Sequence, residues 1–257
     1  MATFLFDKII FGPVKSRRLG NSLGINILFN NAKYCNYNCV YCECGWSGEH
    51  EELFFPTASQ VSVELEKYLK SLSSDSIKPD VITFAGNGEP TLNPEFFEII
   101  NKTVELRNFY LPDVKIAVLT NATQLNNPEV VEGLNKIDMP ILKIDTVDQK
   151  EFELINGPVN NITIEKIIDM IILKIRKPII QTMFLKASFD DYYFDNTTKR
   201  SLEKYYEVLK KISPEMVMIY SIARDTPMEG LESINLHKMQ EIGEEIEKMG
   251  FKTIVTP

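Results

Sequence analysis

From Gly24 onward, short β-branched runs alternate with longer segments of helical period. This alternation limits the fold more than any other feature of the chain. Strand and helix in succession argue for βα units around a parallel sheet, with right-handed crossovers. The expected strands are residues 24–28, 80–84, 115–119, 141–144, 178–184 and 216–221. Helical segments fall near 61–71, 94–107, 128–134, 164–175 and 201–211, with a last helix near 236–249. In the fourth of these, Ile164, Ile167, Ile168, Ile171, Ile172 and Ile175 recur at steps of three and four, an apolar stripe suited to covering a sheet. Six such units imply an α/β fold, a partial (β/α)6 TIM-like barrel with a short N-terminal extension rather than a closed eight. The run 252–255 is either a further edge strand or a tail. At 257 residues, with no internal repeat or low-complexity linker, residues 1–257 read as a single domain.

In such sheets ligands lie at the carboxyl ends of the strands, so polar motifs that follow strands are the functional candidates. The first is a cysteine cluster. All four cysteines fall between Cys35 and Cys44, so no disulfide ties distant parts together, and the usage is of the cofactor type expected in a reducing compartment. The opening residues MATFLFDKII lack the pattern of a signal peptide. The most apolar internal stretch, 167–175, is broken by Asp169 and Lys174 and is shorter than the roughly 20 residues of a membrane span. A cytoplasmic location with no membrane association is the expectation. The formal net charge of −8, from 36 acids against 28 bases, opposes diffuse attraction to nucleic acid.

Cys35, Cys39 and Cys42 stand in the spacing C-x3-C-x2-C. Thiolates are soft anionic ligands suited to iron-sulfur clusters. A four-iron cubane held by three cysteines leaves one iron open to a chelating molecule. Zinc usually takes paired C-x2-C sets or added histidines, and His50 and His237 are at no such spacing. A redox pair of Cys39 and Cys42 leaves Cys35 and Cys44 unexplained. An electron-transfer ferredoxin needs a fourth ligand, for which Cys44 is poorly placed, and inert core thiols would be scattered.

The second expected strand runs into VITFAGNGEPTLNP, with Gly86 and Gly88 permitting close backbone approach and Glu89 offering an anionic acceptor. The third runs into LTNAT, where Thr120 and Asn121 are hydrogen-bonding groups that equally suit a cap or turn. The fourth gives LKIDTVD, with Lys143 and Asp145 on one face by strand alternation, as an ion pair, a cap or ligand contacts. Gln181 lies inside the fifth strand, and Ser221 and Arg224 follow the sixth. An arginine at a strand end can fork onto a carboxylate or phosphate. Arg17 and Arg18 precede the first strand and are placed to line a site entrance.

The run CNYNCVYC resembles the C-x3-C-x-aromatic-C signature of the radical S-adenosylmethionine superfamily, with Tyr41 at the aromatic position. The segments FGPVKSRRLGNSLGINI, KIDTVDQKEFELINGP, IIQTMFL and IYSIARDTP resemble a subgroup of small enzymes placed beside those that form wyosine bases in tRNA. The resemblance implies that Cys35, Cys39 and Cys42 hold a [4Fe-4S] cluster whose fourth iron is chelated by the methionyl amino and carboxylate groups of S-adenosylmethionine. It implies that Tyr41 lies near the adenine and that Gly86, Gly88 and Glu89 match a Gly-Gly-Glu motif binding the methionyl amino group, with Asn87 as an insertion. By the same resemblance Thr120 and Asn121 meet the methionyl carboxylate or the ribose, and Asp145 the ribose or substrate. Arg17, Arg18, Lys143, Gln181 and Arg224 are left as substrate candidates.

The activity so implied is reductive cleavage of S-adenosylmethionine to a 5′-deoxyadenosyl radical, which takes hydrogen from a small molecule or peptide. With no flavodoxin-like domain in the chain, electrons come from an external flavodoxin- or ferredoxin-type donor. No cysteine remains outside the first motif to hold an auxiliary cluster. Two alternatives stand beside this reading. One is a tRNA-modifying enzyme of the wyosine type, which the acidic charge opposes. The other is a non-catalytic iron-sulfur or zinc protein.

Overall fold

The computed structural model describes residues 4–48, 54–73, 77–159, 161–189 and 192–256. β1 (Ile10–Ser16) and β2 (Gly20–Ile25) form an antiparallel hairpin, and β3 (Val81–Phe84), β4 (Lys115–Thr120), β5 (Met139–Lys143) and β6 (Ile179–Phe189) follow as parallel neighbours. β7 (Tyr192–Asp195) turns back antiparallel on the far half of β6, while β8 (Met216–Ser221) returns parallel beside its first half. β9 (Leu231–Ser233) also pairs antiparallel with β6, and β10 (Lys252–Thr256) completes the parallel set next to β8. The helices are α1 (Ala58–Ser71), α2 (Phe96–Tyr110), α3 (Pro128–Lys136), α4 (Gln149–Asn156), α5 (Ile164–Lys174), α6 (Lys199–Ile212) and α7 (Leu236–Lys248). No helix among the described residues is long and apolar enough to cross a membrane.

The main sheet has the order β1-β2-β3-β4-β5-β6-β8-β10, and no described pairing joins β1 to β10. It curls nonetheless. Val81, Ala117, Ile141, Ile179 and Met218, each from a different strand, form one inner layer. Leu19, from the turn before β2, and Ile254, from β10, both pack against that layer. Opposite ends of the sheet therefore meet across the interior, as in an open partial barrel. The helices cover the outer face, where Ile164, Ile167, Ile168 and Ile171 of α5 are buried, while Ile172 is 39% exposed and lies off the stripe.

Among the described residues seven parallel strands form where six were expected, because the terminal run is a true strand, β10. The first parallel strand lies earlier than 24–28. The Asn26 side chain accepts from Leu28 N at 3.3 Å and donates to Phe29 O at 3.3 Å, closing a local loop that ends the ladder. The expected N-terminal extension includes β1, an edge strand carrying Gly12 and Pro13 with a register shift between Phe11 and Val14. Proline is tolerated at such an edge, but it hides the strand's alternation from view.

Candidate active site

One cavity of about 280 Å³ opens where β2, β3, β4, β5, β6 and β8 end. Its lining brings together Arg17, Arg18, Cys35, Cys39, Tyr41, Cys42, Gly86, Gly88, Glu89, Thr120, Asn121, Lys143, Gln181 and Arg224. Of the candidate residues, Asp145 alone lies outside it.

The cysteines sit on a loop that α4 pins in place. Asn38 N donates to Gly157 O at 3.0 Å and Val40 N to Ile155 O at 2.9 Å. Sequence reasoning missed α4, which has only eight residues, although its boundaries were written in Asp148, the N-cap, and Gly157, which closes the helix at φ 49°. Each sulfur of the motif receives a donor. Tyr37 N donates to Cys35 Sγ at 3.4 Å and Asn156 Nδ2 to Cys39 Sγ at 3.4 Å. Asn121 Nδ2 stands 3.8 Å from Cys35 Sγ. Buried Lys33 donates to Gly45 O at 2.8 Å and lies against the Cys42 sulfur, as does Cys44, whose thiol donates to Gly86 O at 3.5 Å. Burial pushes Cys35 upward and Cys39 up to about 11, whereas the bond with Cys44 and the charge of Lys33 hold Cys42 below its ordinary value. Lys33 and Asn156 were not anticipated from the sequence.

Among the described residues no three Cys, His, Asp or Glu side chains already converge on the position of a single ion. Thiolates that bind three different irons of a cubane need no such convergence. His237 is exposed on α7, where it faces Glu241 at 3.2 Å, and His50 lies outside the described residues.

Gly88 adopts φ 138° because its backbone lies against Tyr34, and a Cβ there would stand 1.8 Å from Tyr34 O. That contact aims Glu89 inward. The carboxylate is buried: Oε1 accepts from Thr91 N (3.1 Å), Thr91 Oγ1 (2.5 Å) and Thr120 Oγ1 (2.7 Å), and Oε2 from Asn121 N (2.7 Å). Desolvation raises its pKa, and the bonds from Asn121, Thr91 and Thr120 oppose the shift. Thr120 and Asn121 thus meet Glu89 directly. Asn87, the inserted residue, has a structural explanation. Its side chain accepts from Phe6 N at 2.8 Å and donates to Phe29 O at 2.6 Å, tying the N-terminal segment to the loop after β2.

Asp145 stands behind the cavity wall with a fully buried side chain. Oδ2 accepts from Tyr41 OH and, at 2.7 Å, from Asn156 Nδ2, while Oδ1 accepts from Met183 N at 2.8 Å and faces Lys143 Nζ at 3.2 Å. These contacts tie Asp145 to the wall that Tyr41, Asn156, Lys143 and Met183 build. Lys143 donates to Tyr220 OH at 2.5 Å. Burial works against its charge, but Asp145 and Tyr220 outweigh it and hold Lys143 above its ordinary value. Arg224 is ion-paired with Glu43 at the exposed rim. Ser221 Oγ is engaged by Phe184 O and Ile234 N, each at 2.7 Å. Arg18 stacks over the Tyr220 ring, 4.1 Å from its centroid.

The family model described as the Radical SAM superfamily matches residues 32–185. Among curated proteins, the chain is 30% identical over 244 residues to a protein named GTPase Obg from Brachyspira hyodysenteriae, covering 92% of this chain and 33% of that one. It is 34% identical over 215 residues to a UPF0026 protein of Methanocaldococcus jannaschii, covering 80% of this chain and 61% of the relative. The chain therefore spans less than two thirds of the length of either. Among solved structures, SuiB of Streptococcus suis bound to S-adenosylmethionine superposes with a TM-score of 0.65 at 16% identity, covering 92% of this chain and 52% of that one. The complex of SuiB with its precursor peptide SuiA gives 0.62 at 16%, covering 90% and 48%. These structures share the fold.

Proposed function

The chain belongs to the radical SAM superfamily, and on that premise we propose that it cleaves S-adenosylmethionine reductively and directs the resulting radical at a small-molecule or peptide substrate in the cavity lined by Cys35, Cys39 and Cys42. Membership makes it an enzyme of this class, with a [4Fe-4S] cluster and S-adenosylmethionine as cofactors. The observation that carries the finer reading is the sharing of one cavity by the three motif thiols, Cys35, Cys39 and Cys42, and a buried carboxylate, Glu89. The donors are of the right kind: N–H groups of Tyr37, Asn121 and Asn156 and the ammonium of Lys33 surround the sulfurs, an outer shell that favours thiolate over thiol.

In this reading Cys35, Cys39 and Cys42 are the cluster ligands. When bound, the cluster supplies the electron that breaks the bond between sulfur and C5′ of S-adenosylmethionine. Glu89 accepts from the methionyl ammonium with the capacity its Oε2 has left after Asn121. Thr120 and Asn121 serve by holding that carboxylate in orientation. Tyr41, fixed by its hydroxyl on Asp145, offers a rigid ring to the adenine. The apolar inner layer beneath keeps water from the radical, and the cavity walls hold one C–H bond against it. SuiB, a fold neighbour, binds a precursor peptide, which keeps peptides beside small molecules as candidate substrates. An external flavodoxin- or ferredoxin-type protein supplies electrons, the location is cytoplasmic, and residues 1–257 act as one domain.

The test is anaerobic incubation of the reconstituted, reduced protein with S-adenosylmethionine, followed by chromatography. 5′-Deoxyadenosine is the expected product. A protein fully loaded with iron that forms none overturns the reading.

A further inference from the structure

We propose that the cavity wall formed by Arg18 and Gln181 is a subsite for a carboxylate of the second substrate. The inference deepens the radical-enzyme reading and rests on it for what the subsite serves.

The cavity is lined by several cations, and most are already engaged. Lys33 binds Gly45 O and Cys42, Lys143 binds Asp145 and Tyr220, and Arg224 pairs with Glu43. Arg17 is at the exposed rim. Two buried donors of the lining have no partner: Arg18 Nη1 and Gln181 Nε2. Gln181 is only 4% exposed, so water does not readily replace a partner. Buried donors are nearly always paired, and a pair left open on one cavity asks for a ligand that accepts from both.

Sheet register shows that they belong to one wall. β6 lies between β5 and β8, with Lys143 beside Gln181 and Gln181 beside Met218, two residues before Tyr220. Lys143 reaches past β6 to Tyr220 OH, and Arg18 lies over the ring of the same tyrosine. Arg18 comes from the β1–β2 turn, whose next residue, Leu19, packs on the inner layer, so this turn carries the guanidinium across the open barrel. Stacking on Tyr220 fixes the guanidinium plane. The Gln181 amide has to satisfy the ligand whichever way it is turned, and beside Arg18 an anion selects its donor end.

Charge selects the ligand class. Asp145 matches Lys143, so the wall keeps one uncompensated positive charge, that of Arg18. One charge and two directed N–H donors suit a carboxylate, with one negative charge and two acceptor oxygens. A phosphate dianion needs more of both. A substrate anchored by its carboxylate on this wall presents the rest of its length toward Glu89 and the cysteines.

The reconstituted, S-adenosylmethionine-loaded protein is titrated with propionate, propionamide and inorganic phosphate by saturation-transfer NMR. Propionate is expected to bind at least about tenfold tighter than propionamide, and Arg18→Gln to weaken it by about tenfold or more, as loss of a charge-assisted bond requires. Gln181→Leu, which keeps the shape and removes the donor, weakens propionate about threefold or more. It carries the test if Arg18→Gln does not fold. S-Adenosylmethionine affinity stays within about twofold in both variants. Equal binding of propionate and propionamide, tighter binding of phosphate, or unchanged propionate binding in the variants overturns the proposal. So does loss of S-adenosylmethionine affinity, which would give these donors to the cofactor. Selective propionate binding by a parent protein that forms no 5′-deoxyadenosine would sink the radical reading and leave the subsite standing.

Discussion

Asn156 and Cys39, 117 residues apart in the chain, are joined by a hydrogen bond of 3.4 Å from the amide nitrogen to the sulfur. The same amide donates to Asp145 Oδ2 at 2.7 Å and lies 3.2 Å from Tyr41 OH. One side chain therefore links the cysteine loop to the wall that Asp145 and Lys143 build. Asn156→Ala removes the donor on sulfur and leaves the Asp145 carboxylate one partner short. Loss of such an outer partner typically costs about 10- to 100-fold in metal affinity, so the reconstituted variant should surrender iron to a chelator at correspondingly lower chelator concentration. Identical release curves for variant and parent would separate Asn156 from cluster support.

Cys44 lines the same cavity as the motif cysteines, yet its thiol is placed to serve another purpose. It donates to Gly86 O at 3.5 Å and lies close enough to Cys42 to lower that thiol's pKa, so it acts as a hydrogen-bonding group of the loop. Three thiolates and a chelating cofactor already complete the coordination of a cubane. Cys44→Ala should keep the parent's iron content and charge-transfer absorbance, while Cys35→Ala, Cys39→Ala and Cys42→Ala each lose them. Iron loss confined to Cys44→Ala would reassign the ligand set.

Glu89→Gln should weaken S-adenosylmethionine by about 10- to 150-fold with the cluster intact, the range for a hydrogen bond to a charged group of about 1.5–3 kcal/mol. The new amide also meets a donor: turned to keep its oxygen at the Oε1 position, it sets its NH2 against Asn121 N. A lower melting temperature should accompany the weaker binding. The acidic limb of binding follows from the same residue. Burial raises the Glu89 pKa above the ordinary 4.5, so protonation begins at higher pH than for an exposed glutamate. An ammonium ligand needs the ionised form, and affinity should fall as pH is lowered from neutrality toward that value. Calorimetric titration across this window reads both effects, and a pH-independent affinity equal in parent and variant would take Glu89 out of the site.

Much of this arrangement is legible in the sequence, and the misses share physical causes. β-branched runs and helical periods report burial on two faces or one, so the parallel strands and their covering helices could be found. β1 could not, because Gly12 and Pro13 interrupt the only alternation it has, and β7 and β9, of four and three residues, are too short to display one. The cysteines and Glu89 announce themselves by residue type and by position after a strand. Asn156, Lys33 and the inward turn of Arg18 do not, since whether an amide or a cation is solvated or turned onto a sulfur or an aromatic ring depends on contacts across the whole fold. Nor do the partners of Asp145: the sequence places it after a strand beside Lys143, but its bonds to Asn156 and Met183 N come from other elements, α4 and β6.

The last expectation is that tRNA binds weakly. A polyanion needs a basic surface, because contacts between cations and phosphates release condensed counterions and supply most non-specific affinity. The chain carries eight more acids than bases. Its densest basic runs, 15–18 and 174–177, carry three cations each, and each leaves two exposed in the fold, since Arg18 stacks on Tyr220 inside the barrel and Lys174 is half-buried and donates to Leu125 O. Two such side chains fall well short of the roughly 6–10 phosphate contacts of a strong binder. A titration of labelled total tRNA at low and at moderate salt should therefore show only weak association that salt abolishes. Micromolar or tighter binding that survives moderate salt would move the substrate from a small molecule or peptide to tRNA, and the exposed faces of the β1–β2 hairpin would be the first place to look for its contacts.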